Sequence, residues 1–145
     1  MEKNKIIIYT DGGSRGNPGP AAIGIVIIGV GEKREYGEYI GVTTNNEAEY
    51  QAVIFALKKI KQLIGSDKAE KTTPVFYMDS ELLVKQFNNE YKVKEENIQK
   101  LFLEVHNLRL DFSKVEFKHV LRGKNEDADR LVNEVLDREN NKLNL

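Results

Sequence analysis

The segment NKIIIYTDGG, residues 4–13, decides the fold prediction, because an unbroken apolar run leads directly into an aspartate and two glycines. Continuous apolar residues over 4–10 are typical of a strand that is buried on both faces of a sheet. A loop rich in Gly and Pro is predicted next, over DGGSRGNPGPAA at residues 11–22. The first strand is therefore expected to end at Asp11, at one edge of a buried sheet.

The remaining pattern predicts an α/β fold. Strands are predicted at 22–29 and 34–41, close enough to the first strand to form an antiparallel meander. A long helix is expected from Asn45–Asn46 to about Ile64, with Gly65 as its stop signal. A strand, two helices, a strand and a helix then follow at about 75–79, 80–89, 95–110, 114–121 and 126–138. Helical crossovers make the later strands parallel, which gives a mixed five-stranded sheet with helices on both faces.

Composition narrows the class of protein. The chain has 145 residues, of which 40% are hydrophobic and 31% charged, with a net charge of −1 and no cysteine. Neither a membrane span nor a signal peptide is expected, since apolar runs are short. The absence of cysteine excludes disulfides and zinc-thiolate sites and suits a reducing cytoplasm. The slightly acidic balance opposes strong non-specific nucleic-acid binding, so such affinity would need local basic patches and metal ions held by carboxylates.

Four carboxylates are expected to converge at one edge of the sheet. Asp11 and Asp79 end the first and fourth strands, whose carboxyl ends meet if these strands are parallel neighbours. Glu49 lies on the inward stripe of the long helix, where a carboxylate is costly unless it is paired or holds a metal. In the last helix, periodicity alone leaves open whether Asp127 or Asp129 is the fourth member.

Each acid also has an ordinary structural explanation. Asp11 before two glycines suits a turn, Asp79 suits the cap of a short helix, and Asp127 and Asp129 suit the first turn of a helix. Carboxylates gathered together, however, repel one another unless cations bind. A set of oxygen ligands without His or Cys is typical of Mg²⁺ or Mn²⁺ sites and not of zinc sites.

Four segments resemble the motifs of the type 1 ribonuclease H family, in that family's order and spacing. They are YTDGGSRGNPGPAAIG from Tyr9, TTNNEAEY from Thr43, YMDSELLV from Tyr77 and VLRGKNEDADRLV from Val120. The resemblance implies a single ribonuclease H domain over residues 1–145 with the ribonuclease H-like fold. It assigns catalysis and metal binding to Asp11, Glu49, Asp79 and Asp129, and so selects Asp129 over Asp127.

The activity implied by the resemblance is endonucleolytic cleavage of the RNA strand of an RNA/DNA hybrid. It would use two Mg²⁺ ions, for which Mn²⁺ could substitute, and leave 5′-phosphate and 3′-hydroxyl ends. The hybrid is the implied partner; no membrane and no obligate protein partner is expected, which predicts a monomer. The alternative is a non-catalytic ribonuclease-H-like module that binds nucleic acid.

The same resemblance implies a set of hybrid contacts. They fall on Gly12, Gly13, Ser14, Asn17, Thr44, Asn45 and Asn46. Glycines would let the backbone approach the RNA strand closely. Asn17 and Asn45 equally suit a turn and a helix cap, and both roles can coexist.

The chain departs from the family pattern in the loop before the last helix. Many members carry a His there, whereas this loop is only LRGKN, residues 121–125, and His119 falls inside the predicted fifth strand. Arg122 or Lys124 is the hypothetical substitute for that His.

A second departure is the missing basic, helix-bearing handle. Only NNEYKVKEEN stands at residues 88–97, where Tyr91, Lys92 and Lys94 offer base stacking and phosphate contact or form an ordinary solvated surface. Weak, salt-sensitive binding of the hybrid is therefore predicted. At the C-terminal end, disorder and docking through Leu143 and Leu145 remain open alternatives.

Overall fold

A five-stranded sheet forms the centre of the computed structural model, which describes residues 4–143 and the side chains of residues 4–142. The strands are β1 (Lys5–Ser14), β2 (Gly19–Ile28), β3 (Arg34–Thr43), β4 (Thr73–Met78) and β5 (Glu116–His119). They lie in the order β3-β2-β1-β4-β5; β2 is antiparallel to both neighbours, and β4 is parallel to both of its neighbours. The predicted mixed sheet is confirmed.

Helices connect and cover the strands. They are α1 (Asn45–Ile64), α2 (Ser66–Ala69), α3 (Glu81–Phe87), α4 (Glu96–Arg109) and α5 (Glu126–Leu143), with a 3₁₀ turn at Arg122–Lys124. In the described part of the chain, no helix is long and apolar enough to cross a membrane.

Glycines set the distance between the sheet and the helices on its two faces. A Cβ atom on Gly12 would lie 2.4 Å from the carbonyl carbon of Ala48 in α1. A Cβ atom on Gly24 would lie 2.3 Å from the carbonyl oxygen of Ala128 in α5. Gly24 pairs with Asp11, the neighbour of Gly12, and successive residues of a strand point to opposite faces. The helices α1 and α5 therefore pack on opposite faces of β1 and β2.

The larger core lies on the α1 side of the sheet. There Ile8, Ile25, Leu57, Phe76 and Phe87 are all fully buried. A smaller cluster on the α5 side joins Ala22 of β2 with Val132, Val135 and Leu136. Burial of apolar surface, at about 25 cal/mol per Å², stabilises both layers. It holds α1 and α5, the two helices that carry predicted acids, against opposite faces of the sheet.

Several predicted boundaries are wrong, each for a local reason. The strand β1 continues through Ser14, because Gly12, Gly13 and Ser14 pair with β2 where a loop was predicted. Asp11 consequently lies inside β1 and not at its end. Thr44, not Asn45, caps α1: its hydroxyl accepts the Glu47 amide at 3.2 Å, and the Thr44 amide in turn donates to Glu47 Oε2 at 3.4 Å.

The last helix is longer than predicted: α5 ends at Leu143, whereas the prediction ended at Arg138. The short helix α2 was not predicted, and β5 is four residues long where eight were expected. The docking alternative for the C-terminal leucines concerns the Leu143 side chain and Leu145, which lie outside the described residues.

Candidate active site

The parallel pairing of β1 and β4 brings two of the predicted acids to the same level. Tyr9 lies opposite Tyr77, and their rings stack with centroids 5.3 Å apart. Two residues further along each chain are Asp11 and Asp79, which therefore point to the same face as the stacked rings. The fourth strand was predicted to end at Asp79; β4 ends at Met78, so Asp79 lies one residue beyond it.

Glu49 reaches the same place from α1. Because Gly12 has no side chain, α1 lies directly against β1 at Ala48 and Glu49. Ligand oxygens of Asp11, Glu49 and Asp79 all lie within 4.8 Å of one another. The Ser80 hydroxyl hydrogen-bonds to the Glu49 carboxyl and helps to orient it.

Asp129 completes the group from α5. Its carboxyl lies beside that of Asp11, close enough to repel it and to share a proton with it when one of the two is protonated. The start of α5 is anchored by the buried Asn125, whose Nδ2 donates to the Thr10 carbonyl at 2.9 Å and whose carbonyl accepts the Asp129 amide at 3.1 Å. Asp127 instead points away and pairs with Lys33 at 2.9 Å.

Crowding and burial change the electrostatics of these acids. Desolvation, followed by repulsion from Asp79 and Asp129, raises the pKa of Asp11 to about 7. Desolvation, followed by repulsion from Asp11 and Asp79, raises the pKa of Glu49 to about 8. Such carboxyls hold protons near neutral pH unless a cation takes the place of the protons.

The acids line one cleft of about 450 Å³. Its other lining residues are Gly12, Gly13, Ser14, Arg15, Asn45, Arg122, Val132, Asn133 and Leu136. The cleft thus contains most of the residues proposed from sequence for metal and hybrid binding.

The predicted contact residues of the Gly-rich segment are already tied to one another. Asn45 Oδ1 accepts the Ser14 amide at 2.8 Å and the Ser14 hydroxyl at 3.2 Å. Asn17 Oδ1 accepts the Asn45 amide at 3.0 Å, so it satisfies one of the free amides at the start of α1. The cap role foreseen for Asn45 is not present, since Thr44 is the cap residue; Asn17 instead supplies the acceptor for the Asn45 amide.

Of the predicted contact residues, Gly12, Gly13, Ser14 and Asn45 line the cleft, whereas Asn17, Thr44 and Asn46 are not among its lining residues. The missing side chain of Gly12 makes room for α1, because a Cβ atom there would meet the Ala48 backbone, while the predicted approach of its backbone to RNA stays a prediction. Asn46 does not line the cleft; it lines a neighbouring cavity together with Tyr91, Lys92 and Lys94.

The two candidate substitutes for the missing His are separated by the fold. Arg122 lines the cleft with its Nη2 atom 3.8 Å from Asp129 Oδ1. Lys124 lines another cavity, beside Tyr9 and Asp127. His119 is exposed at the end of β5, in keeping with a surface role. Of the two basic residues, the placement favours Arg122.

Sequence reasoning missed three supporting residues. Asn125 anchors α5, Ser80 orients Glu49, and Arg15 lines the cleft while it pairs with Asp137 at 2.7 Å. All three lie inside the quoted motifs, next to the residues that were chosen, but only tertiary contacts distinguish them from ordinary loop residues.

Comparison with known proteins gives one matching family model. The model described as reverse transcriptase-like covers residues 9–135. Among curated relatives, a bifunctional protein of Mycobacterium tuberculosis is 37% identical over 92% of this chain and 36% of its own length. Ribonuclease HI of Halobacterium salinarum is 38% identical over 92% of this chain and 65% of its own length. The chain thus spans about a third of the first of these relatives and 65% of the second.

Solved structures extend the likeness to the fold. The crystal structure of LC11-RNase H1 in complex with an RNA/DNA hybrid matches with a TM-score of 0.85 and 44% identity, over 92% of this chain and 98% of that one. RNase H1 of Halobacterium salinarum matches with a TM-score of 0.84 and 36% identity, over 93% of this chain and 99% of that one.

Proposed function

This chain belongs to the type 1 ribonuclease H family, and from that premise we propose that it is an endonuclease that cleaves the RNA strand of RNA/DNA hybrids. The observation that carries the proposal is the convergence of Asp11, Glu49, Asp79 and Asp129 in one cleft. A similar protein, LC11-RNase H1, has been solved with an RNA/DNA hybrid.

The donor set of the cleft fits divalent cations. Three carboxylate oxygens within 4.8 Å of one another are hard ligands of the kind that Mg²⁺ and Mn²⁺ prefer. The raised pKa values of Asp11 and Glu49 mean that negative charge is poorly compensated there by the protein itself. We propose that the four acids hold two Mg²⁺ ions, with Mn²⁺ as a substitute.

Bound there, the ions would supply activation of a water for attack on the phosphodiester and stabilisation of the leaving oxygen, with 5′-phosphate and 3′-hydroxyl products. The protein's own contribution is to fix the donors on rigid elements. Asp11 lies within β1, Asp79 follows β4, and Glu49 lies in the first turns of α1. Asn125 holds α5, and with it Asp129, against β1.

The hydrogen-bonded loop beside the acids is the proposed hybrid-binding surface. Side-chain oxygens of Asn17 and Asn45 are used to order the loop and the start of α1. Their Nδ2 groups can donate to a nucleic acid, since both residues are exposed. Ordering the loop before binding lowers the entropic cost of association. Gly13, Ser14, Thr44 and Asn46 complete the proposed contacts.

Cleavage of end-labelled RNA/DNA, RNA/RNA and DNA/DNA duplexes tests the proposal, each with Mg²⁺, Mn²⁺ or a chelator. Internal cuts in the RNA strand of the hybrid, dependent on the metal, are expected. Asp79→Asn should abolish them, whereas Asp67→Asn, an exposed acid on α2, should not.

The same experiment separates the alternative. Binding of the hybrid without cleavage under every metal condition would indicate a non-catalytic binding module. End analysis of the products checks the predicted 5′-phosphate and 3′-hydroxyl. The proposal includes that the protein is a monomer and that it is cytoplasmic. Sedimentation of the purified chain tests whether it is a monomer.

A further inference from the structure

The connection between α3 and α4, residues 88–95, forms the wall of a second cavity. This cavity has a volume of about 560 Å³ and is lined by Asn46 together with Leu82, Tyr91, Lys92 and Lys94. Tyr91 is 48% exposed, and Lys85 Nζ lies 5.0 Å from the centre of its ring. The connection contains no helix or strand. Backbone hydrogen bonds to α3 hold its first half, and side chains from neighbouring elements reach the carbonyls of Lys92 and Val93.

Two hydrogen bonds, one buried and one partly buried, join this connection to α1. The Tyr50 hydroxyl donates to Gln86 Oε1 at 2.6 Å, and Gln86 Nε2 donates to the Lys92 carbonyl at 3.3 Å. Tyr50 is fully buried and Gln86 is 7% exposed. Buried polar groups are costly when unpaired, so the Gln86 amide has one well-defined orientation here.

These two bonds form a relay from Tyr50 through Gln86 to Lys92, and its first residue, Tyr50, lies next to the proposed active site. Tyr50 directly follows Glu49 and is one helical turn beyond Asn46, on the same helix. The relay therefore sets the position of Lys92 relative to the part of α1 that carries both Glu49 and Asn46. A displacement of the connection would change the cavity without changing the metal ligands.

A second glutamine offers a natural comparison. Gln99 of α4 donates from Nε2 to the Val93 carbonyl at 3.0 Å, one residue along from the Gln86 contact. Gln99 is exposed, so water can replace its hydrogen bond at little cost, whereas Gln86 is buried and its bond to the Lys92 carbonyl is less accessible to water.

We propose that Gln86 is a positioning residue, which holds the 88–95 connection against the α1 end so that its Tyr and Lys side chains meet the nucleic acid bound in the neighbouring cleft. The inference rests on the proposed function for the identity of the ligand. It assigns Gln86 to hybrid affinity and not to the chemical step. Gln86 bonds to the connection, and it is not one of the four acids proposed to bind metal.

Two measurements test this proposal. The dissociation constant for a fluorescent RNA/DNA hybrid is measured in the Asp79→Asn background, where cleavage does not interfere. KM and kcat are measured in the otherwise unaltered chain. Gln86→Met should raise both the dissociation constant and KM by about five- to tenfold, the equivalent of one hydrogen bond, with kcat unchanged within about twofold. Gln99→Met should change the dissociation constant less than about twofold.

Two further variants separate positioning from loss of stability. Ile60→Val removes a buried methyl eleven residues after Glu49 and should lower thermal stability without raising KM. Tyr50→Phe combined with Gln86→Met removes the orphaned hydroxyl and should recover stability but not affinity. The proposal is overturned if Gln86→Met leaves affinity unchanged, if Ile60→Val raises KM equally, or if the double variant recovers affinity. Absence of cleavage by the unaltered chain would instead count against the proposed function, because the binding assay does not need catalysis.

Discussion

Gly12 lies so close to Ala48 that a Cβ atom on the glycine would fall 2.4 Å from the alanine carbonyl carbon. This contact between β1 and α1 brings Glu49 to the acids at the sheet. It also explains why a residue in a motif expected to touch RNA is buried beneath a helix.

Gly12→Ala is therefore expected to destabilise the fold. The clash is with backbone, which has no rotamer to adjust, so a loss of about 3 kcal/mol is expected, the upper part of the range for overpacked cores. Urea unfolding followed by circular dichroism measures it. Gly123→Ala is the control, because a Cβ atom there would have nothing within 4 Å of it. Equal unfolding midpoints for the two variants would contradict the packing role.

Asp129 and Asp127 should differ sharply when each is changed to Asn. Asp129 contacts Asp11 in the cleft, while Asp127 pairs with Lys33 outside it. Asp129→Asn is expected to lower hybrid cleavage by more than about 100-fold, the loss that even an outer-shell partner of a metal can cause. Asp127→Asn should leave turnover within about twofold. Initial cleavage rates at saturating Mg²⁺ measure both effects. A larger loss in Asp127→Asn than in Asp129→Asn would make Asp127 the fourth acid.

Stability of the metal-free chain should fall as pH rises. Asp11 and Glu49 have pKa values raised to about 7 and about 8, from 3.8 and 4.5 in the absence of the fold. Between these limits the folded state holds protons that the unfolded state has lost, so stability declines from about pH 4 to about pH 8 and then levels off. With EDTA present, the free energy of unfolding should be more than about 1.4 kcal/mol higher at pH 5 than at pH 9, the equivalent of one pKa unit.

The variant with both Asp11→Asn and Glu49→Gln supplies the control for that experiment. It lacks the two raised carboxyls and should show a flatter dependence on pH. An equally steep decline in the double variant would place the titrating groups elsewhere.

Arg122→Ala is expected to lower turnover about tenfold or more, the effect typical of a residue that contacts a metal ligand, the role proposed for Asp129. Its guanidinium lies 3.8 Å from Asp129, although its side chain is 82% exposed. Lys124→Ala serves as the comparison, since Lys124 lines a different cavity. Unchanged turnover and unchanged metal dependence in Arg122→Ala would remove Arg122 from the site.

Hybrid affinity should depend strongly on salt. The net charge is −1, so phosphate contacts depend on a few local cations. With only about two contacts and a slope of about 0.9 per contact, affinity should fall about tenfold between about 50 and 200 mM salt. Anisotropy titrations with Asp79→Asn measure this, and a flat profile would show that phosphate contacts do not carry the binding.

The sequence alone determined the order of the strands and of the helices other than α2, the mixed sheet and the group of candidate acids. Apolar periodicity reports burial directly, and Asp79 was placed within one residue of the end of its strand. The motif spacing selected Asp129 over Asp127, which periodicity could not do, because both lie in the first turn of α5.

Only the tertiary structure decided how these residues meet. The pairing of Asp11 with Gly24 continues β1 through a stretch whose glycines locally predict a loop. Gly12 packs on Ala48, 36 residues away in the chain, and Gln86 bonds to Tyr50, also 36 residues away. Asn125 bonds to Thr10, 115 residues away. Local propensity contains no information about such distant contacts, since they form only when strand register and helix packing bring separate segments together.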